Sequence, residues 1–366
     1  MNSCQWELYK YSLPLKNPVR LLGHELKQRK GLILRLYDKA GNFGEGEISP
    51  LPLMHTESLS QAEIQLKNFL SKSFHKNPYF IKSLYPSVRF GFEMAWRTLF
   101  KKFDLDLEVY SSGELIIEKG KVKNYISLEQ IPVNALITGS VDDLKHQCEQ
   151  IKLDEFKAVK IKVGELKVYE DLKRLELAKK IFGNKITLRV DANRGWEFKQ
   201  AKEFAMGIRD FNIEYCEEPL RNIIQLEKLH EHTGIKVALD ETLWSNPNPI
   251  KLPNSAISAL ILKPSILGGW MNTSLWVNHA EKYKIKAVIS SGMESGLGLN
   301  WIALTNLFLL KKITPAGLDS AKFFKYDLAD PPFSISKGNY VFPNSWPVAK
   351  KKYLNKISQG NWKTNG

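Results

Sequence analysis

The sequence of 366 residues predicts an α/β protein in which a barrel of alternating strands and helices follows a smaller α+β module. From about residue 130, short β-branched or apolar runs alternate with amphipathic stretches, and about eight such runs can be counted. That number favours a closed barrel over an open sheet. Before about residue 110, strand-like segments precede helix-like ones, which is the order typical of an α+β unit.

The N-terminal module is predicted to begin with strands and to continue with helices. Residues 31–37 (GLILRLY) have a β-like pattern, and residues 44–49 (GEGEIS) follow a Gly-Asn turn and predict the returning strand. Helix-like sequences follow at 58–73 and 87–100.

The barrel region is predicted from its strands, its helices and its helix ends. Its predicted strands are 131–137, 157–163, 186–191, 213–217, 236–240, 259–263, 286–290 and a short one near 313–318. Within 201–208, the apolar residues recur at the spacing of one helical face. Gly183 and Gly234 stand where helix C-caps belong. An open doubly wound sheet is the alternative, but no GxGxxG motif follows the first strand.

The net charge of +14 raises the question of a polyanionic partner such as nucleic acid or an anionic membrane. The lysines are spread along the whole chain, however, and most are expected to coat helices. The densest run, Lys350 to Lys352, is interpreted as a solvated tail. We therefore expect neither a nucleic-acid partner nor a membrane partner.

The cysteines and the N-terminal residues predict a cytoplasmic location. Cys4, Cys148 and Cys216 form no CxxC pair, and an odd number argues against a disulfide framework. The first fifteen residues lack the continuous apolar core of a signal peptide. No apolar run is long enough to cross a bilayer.

Charged residues stand at the ends of successive predicted strands in the middle of the chain. They are Lys160, Lys162, Asp191, Glu217, Asp240 and Lys263. Because all strands of a parallel βα array end at one face, these side chains should converge in one pocket. Three carboxylates bind a hard divalent cation, and lysines facing them can move protons. The pattern predicts a metal-assisted enzyme that acts on carbon acids.

The alternation of side chains along a strand supports this interpretation for the two lysines of KIK. Lys160 and Lys162 share one face of their strand, and both interrupt an otherwise apolar run. Surface lysines are the alternative in a lysine-rich chain, but a buried lysine without partners is costly. Lys263 ends the segment LILK. The alternative interpretation is that its side chain points away from the pocket and packs its aliphatic stem on the outer helices.

The acids leave a choice at each strand end. Asp191 could equally be the cap of the following helix. Adjacent acids point to opposite sides of a strand, so we choose Glu217 over Glu218 and Asp240 over its neighbour Glu241. The unchosen acids are expected to support the ligands or to cap helices. The small residues of SSGMESGLG (290–298) could donate to a substrate carboxylate, although a tight turn is the alternative.

Several motifs, in this order along about three-quarters of the chain, resemble a known family. They are GEGEISPLP (44–52), KIKVG, LRVDANR, EEP, LDET, LILKPSILGG, VISSGMESGLGL (288–299) and PAGLDS (315–320). The set resembles the muconate-cycloisomerase-like branch of the enolase superfamily, and more narrowly its o-succinylbenzoate synthases. Gly292 departs from the pattern, where a third serine is expected, and the basic segment 348–366 has no counterpart.

The resemblance implies an α+β capping domain (1–110, joined by 320–366) on a (β/α)7β TIM-like barrel (125–319). It implies Mg²⁺, with Mn²⁺ possible, held by Asp191, Glu217 and Asp240. Lys162 and Lys263 match the acid/base pair, with Lys160 as a third catalytic lysine. The implied activity is that of a carbon–oxygen lyase, the dehydration of 2-succinyl-6-hydroxy-2,4-cyclohexadiene-1-carboxylate to 2-succinylbenzoate in menaquinone biosynthesis.

The resemblance also implies the surroundings of an anionic small-molecule substrate. The implied substrate contacts are Ser290, Ser291, Gly292, Met293, Asn193 and Leu51. The segments Leu21–Lys30 and Ser49–His55 are expected to close over the barrel mouth. Dipeptide epimerases and N-acylamino acid racemases are the main alternative, because they share the same ligands and lysine pair. A non-catalytic basic binding protein is a distant one.

Overall fold

The protein is described by a computed structural model that covers residues 2–21, 24–72, 74–75, 83–100, 116–118, 121–123, 130–139, 141–244, 249 and 255–365. The predicted domain boundaries near residues 110 and 125 lie outside the described residues, so this division stays a prediction.

A long antiparallel hairpin begins the fold, and two helices follow it. The elements before the barrel are β1 (Asn2–Leu21), β2 (His24–Tyr37), β3 (Phe43–Ile48), α1 (Leu59–Leu70), β4 (Phe74–His75), α2 (Pro86–Phe100), β5 (Ile116–Glu118) and β6 (Lys121–Lys123). In β2, Leu32, Ile33, Leu34 and Leu36 are all fully buried, so both faces of this strand are covered. Gly46 in β3 allows α2 to approach, because a Cβ there would lie 1.7 Å from the Gly91 carbonyl oxygen.

Strands and helices then alternate through the middle of the chain. These elements are β7 (Gln130–Pro132), β8 (Asn134–Ile137), α3 (Val141–Leu153), β9 (Ala158–Lys162), α4 (Val168–Phe182), β10 (Thr187–Asp191), α5 (Phe198–Gly207), β11 (Ile213–Glu217), α6 (Leu226–Thr233), β12 (Val237–Leu239), α7 (Glu241–Trp244), β13 (Ile257–Leu262), α8 (Pro264–Leu267), α9 (Trp270–Lys282), β14 (Lys286–Ile289) and α10 (Gly296–Leu309). Gly183 ends α4 and Gly234 ends α6, as predicted.

Seven of these strands form one parallel sheet in the order β8-β9-β10-β11-β12-β13-β14. The predicted eighth strand is reduced to a bridge on each side, Val133 with Ala316 and Ser290 with Gly317, and these two bridges close the barrel. Inside it lies a small apolar cluster that includes Tyr215. The predicted α/β barrel with an N-terminal antiparallel unit is confirmed.

Short strands and one long strand complete the chain after the barrel. They are β15 (Ala329–Asp330), β16 (Ile335–Ser336), β17 (Asn339–Val341), β18 (Val348–Ala349) and β19 (Asn355–Asn365). β19 pairs antiparallel with β1 and lies inside a five-stranded sheet of order β3-β2-β1-β19-β4. Lys351 and Lys352 are exposed to solvent, as expected, but the run is not part of a tail, because it leads into a strand that pairs along β1. No helix of the described segments is long and apolar enough to cross a membrane.

Candidate active site

The charged strand ends meet at one end of the barrel, as the sequence predicts. Lys160 Nζ lies 3.1 Å from Asp191 Oδ2 and 3.1 Å from Glu217 Oε2. Lys162 Nζ lies 2.7 Å from Asp191 Oδ2, and Lys263 donates to Asp240 Oδ2. Neighbouring registers explain the convergence, since Asp191 pairs with Lys162 on β9 and with Glu217 on β11.

Burial separates the lysines from one another. The acids Asp191, Glu217 and Asp240 are at most 1% exposed. The side chain of Lys162 is 30% exposed, against 12% for Lys160 and 9% for Lys263. Lys162 is therefore the lysine of this site that is most open to a molecule entering the barrel.

The buried lysines are held in their charged form by the acids around them. Burial alone would lower the pKa of Lys160, but the carboxylates of Glu217 and Asp191 outweigh it and raise that pKa well above its usual value. Burial likewise opposes the charge on Lys263, and Asp240 outweighs it, so the pKa of Lys263 is also raised. Both ammonium groups keep their protons at neutral pH.

The pKa values of Asp191 and Glu217 are shifted in opposite directions. Burial would raise the pKa of Asp191, but Lys162 and Lys160 hold it well below its usual range. Burial and the nearby carboxylate of Asp191 raise the pKa of Glu217 well above its usual range, although Lys160 opposes them. Glu217 is thus a buried acid crowded by like charge.

The unchosen acids support the site, as predicted. Glu218 accepts hydrogen bonds from the backbone N–H groups of Asp240 at 3.0 Å and Thr242 at 2.7 Å, and from Arg194 Nε at 3.0 Å. It therefore fixes the turn that carries Asp240. Glu241 accepts a hydrogen bond from the side-chain amide of Asn193. Burial and the nearby carboxylate of Asp240 together raise the pKa of Glu241 to about 7.

Two further side chains orient the charged groups. Asn193 accepts a hydrogen bond from Lys162 and donates to Glu241 at 2.8 Å. Trp244 donates through Nε1 to Asp240 Oδ1 at 2.9 Å, and Lys263 Nζ lies 5.3 Å from the centre of its ring. Asn193 was predicted as a substrate contact, a role that stays a prediction.

The donor set fits a hard divalent cation. Within the described residues, no three His, Cys, Asp or Glu side chains are arranged to hold a metal ion as they stand. Lysine ammonium groups instead donate to Asp191, Glu217 and Asp240. These three acids offer buried oxygens, and the crowding that raises the pKa of Glu217 is what a cation would relieve.

Comparisons with known proteins place the chain in a family. A family model described as enolase C-terminal domain-like matches residues 143–346, and one described as MenC, N-terminal domain, matches residues 3–99. The o-succinylbenzoate synthase of Aliivibrio salmonicida is 31% identical over 331 residues, which cover 89% of this chain and 93% of that protein. The chain belongs to the o-succinylbenzoate synthase family of the enolase superfamily. The predicted family is confirmed.

Further relatives agree with this placement. The o-succinylbenzoate synthase of Vibrio cholerae is 31% identical over 332 residues, covering 88% of this chain and 91% of that protein. A dipeptide epimerase from Cytophaga hutchinsonii, solved with Mg and the dipeptide D-Ala-L-Val, matches with a TM-score of 0.78 at 24% identity. That match covers 98% of this chain and 99% of the epimerase, and at this identity it supports the fold alone.

The loop after β14 carries the residues that the family resemblance implies for substrate binding. Ser290 and Ser291 both donate to the Gly317 carbonyl oxygen, at 3.4 and 2.9 Å, so they also help to close the barrel. Gly292 donates its N–H to Glu294 at 2.8 Å, and Met293 has a φ of 62°. Their contact with substrate stays a prediction.

The structure gives a reason for the glycine at 292. A Cβ at this position would lie 3.0 Å from Glu294 Oε1 and 3.2 Å from Ser265 Oγ. Ser265 donates its hydroxyl to this same Glu294. The side chains of Ser265 and Glu294 would therefore have to shift by a few tenths of an ångström to admit the third serine expected from the family.

Sequence reasoning missed several side chains that link the cap to this end of the barrel. Arg29 is buried and donates to the Met293 carbonyl oxygen at 3.0 Å and to that of Pro50 at 3.2 Å. His55 reaches the carbonyl oxygen of Ser265 at 3.2 Å. Leu51, a predicted substrate contact, is 1% exposed. In the sequence, these contacts between the cap and the barrel are suggested only by His55, which stands four residues after Leu51.

The two predicted lids differ in structure. His24–Lys30, from the first predicted lid, begins β2, and Leu21 ends β1, while residues 22 and 23 lie outside the described part of the chain. The Ser49–His55 loop has its carbonyl groups at Ser49 and Pro50 bound by Arg29. It lies closed against the barrel, and its movement stays a prediction.

Proposed function

We propose that this chain catalyses the dehydration of 2-succinyl-6-hydroxy-2,4-cyclohexadiene-1-carboxylate to 2-succinylbenzoate, a step of menaquinone biosynthesis. One observation carries the proposal. Three buried carboxylates and three lysines end neighbouring strands of one barrel, in a chain of the o-succinylbenzoate synthase family. The reaction needs a base for the proton next to a carboxylate and an acid for the leaving hydroxyl, and this site contains groups for both.

Asp191, Glu217 and Asp240 would hold Mg²⁺, or Mn²⁺ in its place. When bound, the metal would supply positive charge to the substrate carboxylate as the neighbouring proton leaves. A lysine base beside such a metal is an established arrangement in enolase-superfamily sites.

Lys162 is the proposed base. Its amine, the most exposed of the three, accepts the proton from carbon, and the resulting ammonium donates a proton to the leaving hydroxyl on the same face. Asn193 and Asp191, which both contact Lys162, orient it for this work. One residue thus performs a syn elimination, and formation of the aromatic ring favours the product.

Lys263 acts from another part of the barrel wall. It follows β13, whereas Lys162 ends β9, and three strands separate the two in the sheet. As an ammonium ion, Lys263 would stabilise the anion formed when the proton leaves. A racemase would instead need Lys263 to lose and regain a proton.

A direct assay tests the proposal. Formation of the aromatic product should be followed with purified protein, with Mg²⁺, after exhaustive EDTA treatment, and after Mg²⁺ or Mn²⁺ is restored. We expect chelation to abolish activity and either metal to restore it, because three converging carboxylates otherwise repel the anionic substrate. Full activity after EDTA would contradict the assignment of the ligands.

We further place this activity in the cytoplasm. The cysteines Cys4, Cys148 and Cys216 are all unpaired and buried, which suits a reducing compartment.

A further inference from the structure

The helix that follows Lys263 is too short to hold its own position. α8 is a single turn, and Lys263 is its N-cap, accepting at its carbonyl oxygen from Ile266 at 3.0 Å and Leu267 at 2.9 Å. One isolated turn is unstable in water. Gly268 and Gly269 follow with φ angles of 90° and 93°, so the chain leaves the turn at once. The position of the Lys263 side chain therefore depends on contacts between this turn and other parts of the chain.

The carbonyl group of Ser265 lies in this turn, and Ser265 itself is buried. Gly268 and Gly269 both donate their N–H groups to Pro264, at 3.1 and 2.7 Å, and so neither satisfies Ser265. Such orphan carbonyl groups at a helix end need an external donor. His55, from the cap, places Nε2 3.2 Å from the Ser265 oxygen.

The hydrogen bonds of His55 define its tautomer. The backbone N–H of Leu51 donates to Nδ1 at 2.9 Å, so Nδ1 carries a lone pair. Nε2 therefore carries the proton and donates to Ser265. Burial lowers the pKa of His55 to about 4, although Glu57 opposes this shift, so the ring is neutral at pH 7.

The loop that carries His55 is itself fixed at both ends. Arg29 binds the carbonyl groups of Ser49 and Pro50 before it. After it, Glu57 accepts from the N–H of Ser87 at 2.9 Å and from its hydroxyl at 2.6 Å, at the start of α2. A ring held on such a loop is a firm anchor for the turn after Lys263.

We propose that His55 is a positioning residue for Lys263: its neutral Nε2–H tautomer ties the cap loop to the Ser265 carbonyl and thereby sets the place of the Lys263 ammonium. The role in catalysis rests on the proposed function, since Lys263 acts in that reaction. The contact itself rests on the geometry of the chain alone.

Two variants and a control test the catalytic part. His55→Phe keeps a ring but neither bond, and His55→Gln keeps one acceptor and one donor. We expect His55→Phe to lower kcat about tenfold to a hundredfold with little change in KM, and His55→Gln to recover most of it. Mg²⁺ affinity, measured by calorimetry, should be unchanged in both. His230→Phe is the control: His230 lies on α6, its ring bonds to the Ile235 carbonyl oxygen at 2.7 Å, and the variant should keep wild-type kcat.

Two readouts do not depend on turnover. Nitrogen NMR of the wild-type imidazole should show a neutral Nε2–H ring at pH 7, and amide exchange of 265–269 should be faster in His55→Phe. Wild-type protein that fails to dehydrate the substrate would sink the proposed function, yet these readouts would still decide the contact. An Nδ1–H tautomer, unchanged exchange, or wild-type kcat in a folded His55→Phe protein would overturn the inference.

Discussion

At the scale of single residues, the three lysines of this site all stand at strand ends but differ in burial and in the carboxylates that they contact. Lys160 and Lys263 are buried against carboxylates that raise their pKa values, so both stay charged. Lys162 is the more exposed one and shares its carboxylate with Lys160. These surroundings support the proposal that Lys162 transfers the proton and that Lys263 stabilises the negative charge.

Substitution of the two lysines should separate synthase from racemase chemistry. Lys162→Ala should lose essentially all dehydration, because it removes the proposed base. Lys263→Arg keeps a cation but cannot act as a base, so it should retain measurable dehydration and lose any racemisation. Product formation and loss of optical activity of an N-acylamino acid measure the two reactions.

A control and a contrary result complete this test. Lys286→Ala removes a lysine that pairs with Glu214 at the opposite end of the barrel, and it should leave dehydration unchanged. If a folded, metal-binding Lys263→Arg enzyme racemised normally but could not dehydrate, the roles of the lysines would have to be exchanged.

The charged groups at the strand ends could be predicted because strand alternation and a parallel barrel together fix where they point. Lys160, Lys162 and Asp191 all follow from that rule. Trp244 and Arg29 could not, because Trp244 stands on a helix of a single turn, and Arg29, on β2, bonds to carbonyl groups of loops distant in the chain. The glycine at 292 was noticed, but its reason lies in Ser265, which follows a different strand.

At the scale of elements, two glutamates of the cap are bonded to the first turns of two barrel helices. Glu47 accepts from the N–H groups of Ser295 at 3.0 Å and Gly298 at 2.9 Å, at the start of α10. Glu93 accepts from the N–H of Trp270 at 2.6 Å, at the start of α9. A carboxylate at a helix N-terminus meets unpaired N–H groups and the positive end of the helix dipole. These bonds attach the cap to the barrel.

Glu93 should make stability depend on pH. Burial raises its pKa to about 7 from a usual 4.5, against the opposing charge of Arg97. The folded chain therefore binds this proton more tightly than the unfolded chain, so the free energy of unfolding should fall as pH rises from about 4.5 to about 7. The total change expected from this group is about 3 kcal/mol.

Urea unfolding between pH 5 and pH 8 measures that change. Glu93→Gln keeps an acceptor for Trp270 and removes the titration, so it should flatten the pH dependence and be relatively more stable at pH 8. Glu231→Gln, an exposed substitution on α6, is the control and should follow the wild type. An identical pH slope in Glu93→Gln would disprove the assignment.

The tip of the cap loop should affect substrate binding more than metal binding. Leu53 is 51% exposed and has a φ of 71°, a strained conformation for leucine. Replacing 52–54 by glycines, with Leu51 and His55 kept, should raise KM because this loop is predicted to close over the barrel mouth. Mg²⁺ affinity should be nearly intact, and unchanged kinetics would place the substrate elsewhere.

At the scale of the whole molecule, the last strand completes the first sheet. β19 pairs with β1 from Asn2 with Thr364 to Lys10 with Asn355. Trp362 is 1% exposed and lies edge-on to Phe92, with ring centres 5.4 Å apart. The sequence did not reveal this strand, because its polar residues resemble a tail and its partner lies at the other end of the chain.

Trp362→Ala should therefore destabilise the protein strongly. Loss of a fully buried tryptophan costs about 3–5 kcal/mol through lost contacts and the cavity left behind. Lys356→Ala, in the same strand, breaks only a surface ion pair with Glu7 and should cost less than about 1 kcal/mol. Urea unfolding of both variants measures the difference, and equal costs would show that the strand is not packed as described.

The pairing of β1 with β19 also constrains the order of events during synthesis. All barrel strands lie between these two strands in the chain, so a ribosome finishes the barrel before it supplies the partner of β1. Until then, one edge of β1 is open and can pair with strands of other nascent chains. Contacts between such distant residues also form slowly. We therefore expect the cap sheet to be completed last, and the unfinished chain to be more prone to aggregation than the finished one.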